Sequence, residues 1–325
     1  MKRVLITGGA GFAGHHVVEH ILKNTDWEIV IFDKLSYSSC GYDRLREIQA
    51  FDNKRVLIIG GDLSLPIEPG VAKEIGDVNY ILHMGAETHV DNSISNPLPF
   101  VMSNVVGTMQ ILEFARFRDS LEQFVYFSTD EVFGSVQEGH SKEWDVYNSC
   151  NPYAATKAGG EELALAYANT YKIPVMITHT MNLFGERQYP EKFIPLVINR
   201  VLSGEKVYIH ADQTCTIPGI RSYIHCRNMA DAILFLLGNQ VMRDKFNIAG
   251  ECEIDNLELA KMVARIIGKP LNYELINFHS IRPGHDMRYA LDGTKLAGMG
   301  WKPPIAFDNA LQKTVEWTLD NRGWL

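Results

Sequence analysis

Thr7-Gly8-Gly9-Ala10-Gly11-Phe12-Ala13-Gly14 joins an apolar run, Arg3–Thr7, to a helical pattern over Phe12–Lys23, and this junction decides the fold. Glycines at 8, 11 and 14 allow a tight turn and let backbone N–H groups approach a pyrophosphate at a helix N-terminus, where the dipole favours negative charge. A glycine-rich turn also occurs as a purely structural device. Here a second feature supports the nucleotide reading. Asp33 follows the next apolar run, close to the ~20 residues after the glycines at which a dinucleotide fold places the acid for a ribose. A carboxylate there accepts from two ribose hydroxyls and repels a 2′-phosphate, which favours NAD over NADP. Lys34, next in the chain, softens that repulsion.

Further apolar runs occupy Glu28–Phe32, Arg55–Gly60, Tyr80–Met84, Phe124–Ser128 and Val175–Thr178, with helix-length stretches at Tyr42–Phe51, Pro99–Phe117 and Tyr153–Tyr171. Runs without polar alternation are strands buried on both faces. Their alternation with helices predicts an α/β fold, a doubly wound parallel sheet of the Rossmann type. Beyond about Thr180 the pattern loosens. Helices are expected near Pro190–Leu202, Glu258–Ile267 and Asn309–Asn321, strands at Arg221–His225 and Lys245–Ala249, and a proline- and glycine-bearing stretch at Ile209–Ile220. The expected organisation is a dinucleotide-binding unit over 1–180, with a segment near 222–240 returning to its sheet. A smaller α/β substrate-binding unit covers 181–325. Met102, Met109 and Phe114 read as core or subunit interface.

A length of 325 residues suits about two units. Hydrophobic residues at 46% and charged residues at 22% supply a sizeable core and exclude a disordered chain. The net charge is −8 without a basic block, so no nucleic-acid partner is expected. Five scattered cysteines, none in a Cys-x-x-Cys pair, point to reduced thiols rather than a disulfide framework or zinc site. The N-terminus turns glycine-rich too soon for a signal peptide, and no apolar run approaches the ~20 residues of a bilayer span. The expectation is a cytoplasmic protein without a membrane partner. His16 and His20 lie four apart with no third ligand, and His83 and His89 flank the end of the fourth strand. Cofactor-side packing is expected for the latter two, and no metal.

Tyr153-Ala-Ala-Thr-Lys157 puts a phenol and an ammonium on one face of a helix. From 13 tyrosines and 31 Lys and Arg, about one Tyr-x-x-x-Lys/Arg pair arises by chance, and Tyr42/Arg46 is such a pair. Position distinguishes Tyr153/Lys157, which follows Ser128-Thr129-Asp130-Glu131 at the tip of the fifth strand. Asp62, in Gly61-Asp62-Leu63 after the third strand, reads equally as an adenine-side group or a solvated turn residue.

Together the glycine turn, the strand-end Ser/Thr and Tyr-x-x-x-Lys resemble the extended short-chain dehydrogenase/reductases that act on nucleotide sugars. Asp33-Lys-Leu-Ser-Tyr37, His83-Met-Gly-Ala-Glu87-Thr-His89-Val-Asp91, Ser128-Thr-Asp-Glu131, Asn151-Pro-Tyr153, Tyr189-Pro-Glu-Lys192 and Arg282-Pro-Gly-His-Asp286 look like the dTDP-glucose and UDP-glucose 4,6-dehydratases. The likeness runs from Thr7 to Lys313-Thr-Val-Glu-Trp317. It implies NAD held by Gly8, Gly11, Phe12, Gly14, Asp33, Lys34, Asp62, Leu63, Met84, Ala86, Tyr153 and Lys157. It places Glu87, Asn182, Lys192, Arg221, Asn256, Arg282 and His285 on a nucleoside-diphosphate hexose.

The chemistry implied is oxidation at C4, loss of water across C5–C6 and return of the hydride to C6. Tyr153 is the base at the C4 hydroxyl, Lys157 favours its phenolate and Thr129 bonds the C4 oxygen. Glu131 takes the C5 proton and Asp130 protonates the leaving C6 hydroxyl. Elimination needs a base and an acid together, which adjacent carboxylates in opposite protonation states provide. A 4-epimerase or decarboxylase on the same fold lacks that need and is the alternative reading, with a non-catalytic NAD-binding interaction protein behind it. The resemblance also implies a homodimer through a four-helix bundle.

The chain departs from the family pattern in three places. Asn182-Leu-Phe-Gly-Glu186 stands where relatives read Asn-Asn-Tyr-Gly-Pro, the stretch 211–221 is longer, and Arg227-Asn228 replaces an acidic pair. The longer stretch leaves open which base the nucleotide carries.

Overall fold

The computed structural model describes residues 1–239, 243–251, 253–277 and 287–325. Arg282 and His285, on which the sequence reading placed substrate contacts, lie outside the described residues, as does Cys252.

Strands β1 (Arg3–Thr7), β2 (Glu28–Asp33), β3 (Val56–Gly60), β4 (Tyr80–His83), β5 (Gln123–Thr129) and β6 (Val175–Thr180) lie where the apolar runs predicted them. With β10 (Asp244–Ile248) they form a seven-stranded sheet in the order β10-β6-β5-β4-β1-β2-β3. Every pairing in it is parallel. The order reverses at β1, so the crevice beyond the tips of β1 and β4 is the switch point where such sheets take ligands. The smaller part of the chain adds β7 (Asn182–Phe184), β8 (Val207–Ala211), β9 (Ile220–His225), β11 (Glu253–Asp255) and β12 (Tyr273–Asn277). These pair as β11-β9-β7 and β12-β8.

Side chains alternate between the two faces of the large sheet. Val4, Ile6, Ile29 and Ile31 pack with Val17, Val18 and Ile21 of the helix Phe12–Asn24 and with Met229, Ile233 and Leu236 of the helix Cys226–Gly238. Leu5, Val30, Phe124 and Tyr126 pack on the other face with Ile111, Leu112 and Ala164. The returning chain therefore runs further than expected, because the helix Cys226–Gly238 leads directly into β10 at the sheet edge.

The short helices differ from the sequence expectation. The helix within Tyr42–Phe51 is shorter, Asp43–Glu47, and helices Pro69–Ile75 and Val90–Ser95 were not foreseen. The last two are a few residues long, too short to show a 3.6-residue period. The helix Leu98–Ala115 is long and apolar enough, by length and composition, to cross a bilayer, but half of it is buried inside the protein. It packs on the helix Pro152–Tyr171. Between Val101 and Val106 it widens into a π-helical segment, a local irregularity that often marks functional sites. That segment presents Asn104, whose Nδ2 donates to the Glu87 carbonyl at 3.0 Å and to Thr156 Oγ1 at 3.0 Å. Phe114 belongs to the core, while Met102 faces outward.

The helix Pro152–Tyr171 begins with Asn151 as cap, Oδ1 accepting from the Ala154 N–H at 2.9 Å. It approaches β5 closely because position 160 has no side chain. A Cβ on Gly160 would strike the Tyr126 hydroxyl and come within 2.6 Å of the Asn104 carbonyl. Gly160→Ala should therefore lower the melting temperature by the equivalent of about 1–3 kcal/mol of overpacking, read by thermal denaturation. An unchanged melting temperature would show that the contact yields.

Candidate active site

The first helix starts at Phe12 with Gly11 as cap, and neither a capping side chain nor an acidic first-turn residue meets its N-terminus. Its first N–H groups are thus available to an anion. Gly14 is required by packing, since a Cβ there would run into the Gly8 carbonyl oxygen. Asp33 closes the other side, with Oδ2 accepting from the Ala10 N–H at 3.0 Å and Oδ1 from the Leu35 N–H at 2.8 Å. These observations fit an NAD site: an open helix N-terminus for the pyrophosphate, and a buried, oriented carboxylate for the ribose.

The cleft beyond it has a volume of about 390 Å³. It is lined by Gly8, Gly11, Phe12, Gly14, Asp33, Lys34, Leu63, Met84 and Ala86, all read from the sequence. Thr129, Asp130, Glu131 and Tyr153 line its inner end. Asn182, Lys192, Glu191, Asp130 and Glu131 are shared with a second cleft of about 300 Å³, which Arg221 and Asn256 also line. One continuous site therefore runs from the glycine turn, past the two carboxylates, into the smaller part of the chain.

Three expected residues line neither cleft. Asp62 is a turn residue: its Oδ1 accepts from the Ser64 N–H at 2.9 Å and from Ser64 Oγ at 2.8 Å. Its neighbours Gly61 and Leu63 face the cleft in its place. Glu87 pairs with Lys34 at 2.7 Å across the cleft mouth. Lys157 lies beneath the surface, 4.4 Å from the centroid of the Tyr126 ring, and Tyr126 donates to its carbonyl at 3.0 Å. The expectation of cofactor-side histidines is also revised. His83 is sealed between Thr7 Oγ1 at 2.8 Å and Thr108 Oγ1 at 3.0 Å, and burial holds its imidazole down to about 3. His89 lines the second cleft, and His16 faces the Glu186 carbonyl.

Strand β5 runs straight into a 3₁₀ turn, Asp130–Phe133, so three consecutive reactive residues share one strand tip. Thr129 Oγ1 donates to Asp130 Oδ1 at 3.0 Å and accepts from the Glu131 N–H at 3.4 Å. Asp130 is only 5% exposed, and its Oδ2 is buried with no hydrogen-bond partner among the described residues. Burial, reinforced by the negative charge of Glu131, pushes its carboxyl up to about 7. Glu131 is less buried, and Asn151 Nδ2 donates to its Oε2 at 2.9 Å. One carboxyl is thus kept ready to hold a proton beside another that receives a donor.

Tyr153 and Lys157 are both buried. Burial first, then the charge of Glu131, pushes the Tyr153 phenol up, while a hydrogen bond with Thr129 acts the other way. Burial brings the Lys157 ammonium down to about 7. The sequence reading expected Lys157 to favour the phenolate. Burial thus disfavours the charged form of each, and it is against this penalty that a positive charge at Lys157 would have to favour the phenolate.

Arg221 is buried. Its Nη1 donates to the Ile220 and Met287 carbonyls at 2.7 and 2.8 Å, and the guanidinium lies 4.7 Å from the Tyr289 ring centroid. Asn256 accepts from the Tyr223 hydroxyl at 2.8 Å, and Asn182 donates to the Ser222 carbonyl at 3.2 Å. The longer stretch closes on itself. Asp212 Oδ1 accepts from the N–H groups of Thr216 and Ile217 at 2.8 and 2.9 Å, and Gly219 N–H donates to the His210 carbonyl at 3.1 Å. His210 and Gly219 line the second cleft, whereas residues 212–218 do not.

Several lining residues escaped the sequence reading. Ser38 and Ser39 lie beside the cofactor end, and Tyr208, His210, Tyr223 and Tyr289 beside the substrate end. Tyr208 and His210 share a face of β8 by the two-residue strand period, which was the available signal.

A family model described as GDP-mannose 4,6 dehydratase matches residues 5–314. The chain belongs to the nucleotide-sugar 4,6-dehydratases of the extended short-chain dehydrogenase/reductase type. A dTDP-glucose 4,6-dehydratase of Streptomyces niveus is 37% identical over 328 residues, covering 99% of this chain and 94% of that protein. The trifunctional UDP-glucose 4,6-dehydratase/UDP-4-keto-6-deoxy-D-glucose 3,5-epimerase/UDP-4-keto-L-rhamnose-reductase RHM2 of Arabidopsis thaliana is 33% identical over 327 residues. That match takes in 99% of this chain and 48% of RHM2, so the chain spans about half that relative's length. Among solved structures, DesIV, the dTDP-glucose 4,6-dehydratase of Streptomyces venezuelae with NAD and TYD bound, superposes with a TM-score of 0.86 at 33% identity. It covers 99% of this chain and 98% of its own. The family expected from the strand-end and Tyr-x-x-x-Lys motifs is borne out.

The buried Asp130 carboxyl yields a signed prediction. Its proton is held in the folded state from 3.8 up to about 7, so its contribution to stability is complete below pH 3.8 and is lost as the pH rises through about 7. Asn mimics the neutral form. Asp130→Asn should therefore raise the melting temperature by an increment that grows from pH 4 to pH 7 and then levels, while abolishing turnover. A pH-independent increment would contradict the shift. Gly14→Ala should yield folded protein that retains no NAD on purification, read by the nucleotide released on denaturation.

Proposed function

We propose that the protein converts a nucleoside-diphosphate hexose of the dTDP- or UDP-glucose type to its 4-keto-6-deoxy derivative. The carrying observation is the acid pair at the tip of β5, with Asp130 pushed up to about 7 beside Glu131, in a cleft also lined by Tyr153. A 4-epimerase or decarboxylase has no task for two such carboxyls. A binding protein has none for a buried tyrosine beside them.

Gly8, Gly11, Phe12, Gly14, Asp33 and Lys34 hold NAD in this reading, with Leu63, Met84 and Ala86 along the cleft wall. When bound, NAD supplies reversible two-electron redox at C4 and C6 without net consumption. Tyr153 takes the proton of the C4 hydroxyl, and Thr129 fixes the C4 oxygen. Because burial pushes the phenol up, its ionisation depends on positive charge near it, Lys157 among the sources. Once C4 is a ketone, the C5 hydrogen is acidic and Glu131 removes it. Asp130 delivers its proton to the C6 hydroxyl, which departs as water. Arg221, Lys192, Asn182 and Asn256 bind the diphosphate and sugar, with Tyr208, His210 and Gly219 toward the nucleoside.

A homodimer is part of the same reading. Ile94, Leu98, Val101 and Met102 are exposed on helices that pack beside the helix Pro152–Tyr171, and a second copy would cover them in a four-helix bundle. Cys40, Cys215 and Cys226 are free thiols, consistent with the reducing cytoplasm.

Incubation with dTDP-, UDP-, GDP- and CDP-hexoses, read by mass, should show loss of one water from one or two of them, without accumulation of free NADH. A product of unchanged mass epimeric at C4, or stoichiometric NADH release, would overturn the proposal. Glu131→Gln should slow solvent deuterium entry at C5 while sparing part of the C4 oxidation.

A further inference from the structure

Asn151 lines neither cleft, yet it is buried and its two amide atoms are committed in opposite directions. Oδ1 accepts from the Ala154 N–H at 2.9 Å and starts the helix that carries Tyr153. Nδ2 donates to Glu131 Oε2 at 2.9 Å. The cap fixes which way the amide faces, because only an oxygen can accept from Ala154. Glu131 is consequently always offered a donor.

The backbone around Asn151 is pinned as well. The Asn148 N–H donates to the Val132 carbonyl at 2.9 Å, and Ser149 Oγ donates to the same carbonyl at 3.4 Å. A Cβ on Gly134 would collide with the Asn148 carbonyl. The segment 148–151 is therefore clamped along the turn 130–134, and the amide has little freedom to follow Glu131 if that side chain swings. Asp130, the adjacent carboxyl, receives a hydroxyl on Oδ1 and, among the described residues, has no partner on its buried Oδ2.

We propose that Asn151 is the positioning residue that assigns the two carboxyls their separate roles. Its donor orients Glu131 as the base for the C5 proton, and the same amide locks that orientation to the helix bearing Tyr153. This rests on the dehydratase reading above and adds a residue that does not touch the substrate.

The test compares Asn151→Ser and Asn151→Asp with the native enzyme. Both replacements are good helix caps, so each should keep the native melting temperature. Ser is too short to reach Glu131, and Asp presents it with a carboxylate. In single turnovers with the active hexose nucleotide, deuterium entry at C5 should fall about tenfold in Asn151→Ser, as for loss of one hydrogen bond to a charged group. It should fall further in Asn151→Asp through like-charge repulsion. Oxidation at C4, followed as bound NADH, and KM should both stay near native. Equal loss at C4 and C5, or native C5 exchange in Asn151→Asp, would overturn the positioning role. A native enzyme that removes water from no hexose nucleotide would overturn the dehydratase reading and this proposal with it.

Discussion

Tyr126 donates its hydroxyl hydrogen to the Lys157 carbonyl at 3.0 Å, both groups shielded from water, and the active site depends on that contact. Burying either partner alone would cost on the order of 1–3 kcal/mol, so the pairing holds the helix Pro152–Tyr171 in one register against β5. Gly160 makes the approach possible and Asn104 secures it from the neighbouring helix. The result brings a strand tip bearing Thr129, Asp130 and Glu131 to the first turn of the helix that bears Tyr153. A strand and a helix N-terminus are both stiff, which suits a reaction requiring several groups around one sugar ring.

The electrostatics of the site follow from depth. Asp130 is sealed at the end of a strand buried on both faces and holds its proton to higher pH than an ordinary carboxyl, while Glu131, one residue later, is less buried and receives a side-chain donor. Adjacent residues of the same chemistry thereby acquire different duties from their surroundings alone. The same depth pushes Tyr153 and Lys157 toward neutrality, so the field needed to ionise the phenol is a property of the assembled site and not of the helix spacing.

Most of the large sheet was legible because its strands are uninterrupted apolar runs, a signal that survives without tertiary context. Thr129, Asp130, Glu131 and Tyr153 were legible from their place at a predicted strand tip and helix start. Asp62 was not resolved, since an Asx turn and a ligand-facing acid look identical in sequence. The ion pair of Glu87 with Lys34 was not legible because it joins loops 53 residues apart in the chain. Lys157 read as a cofactor contact, but helical spacing gives a face and not a depth. The short helices Pro69–Ile75 and Val90–Ser95 carry too few turns for periodicity. The substrate end was least legible because β8 pairs with β12, and β9 with β7, only across long stretches of chain.

The edge strand β10 is separated from β6, its only sheet neighbour, by the whole of β7 to β9 and two helices. During synthesis, a chain that has emerged only as far as Gly238 has six strands of the large sheet in hand and an unpaired backbone edge on β6. Such an edge is a template for pairing with other chains, and the long loop must close before the pairing is gained. Nascent or truncated forms ending before Asp244 are accordingly expected to be the more aggregation-prone ones, and the last strand of the large sheet to arrive covers the edge of β6.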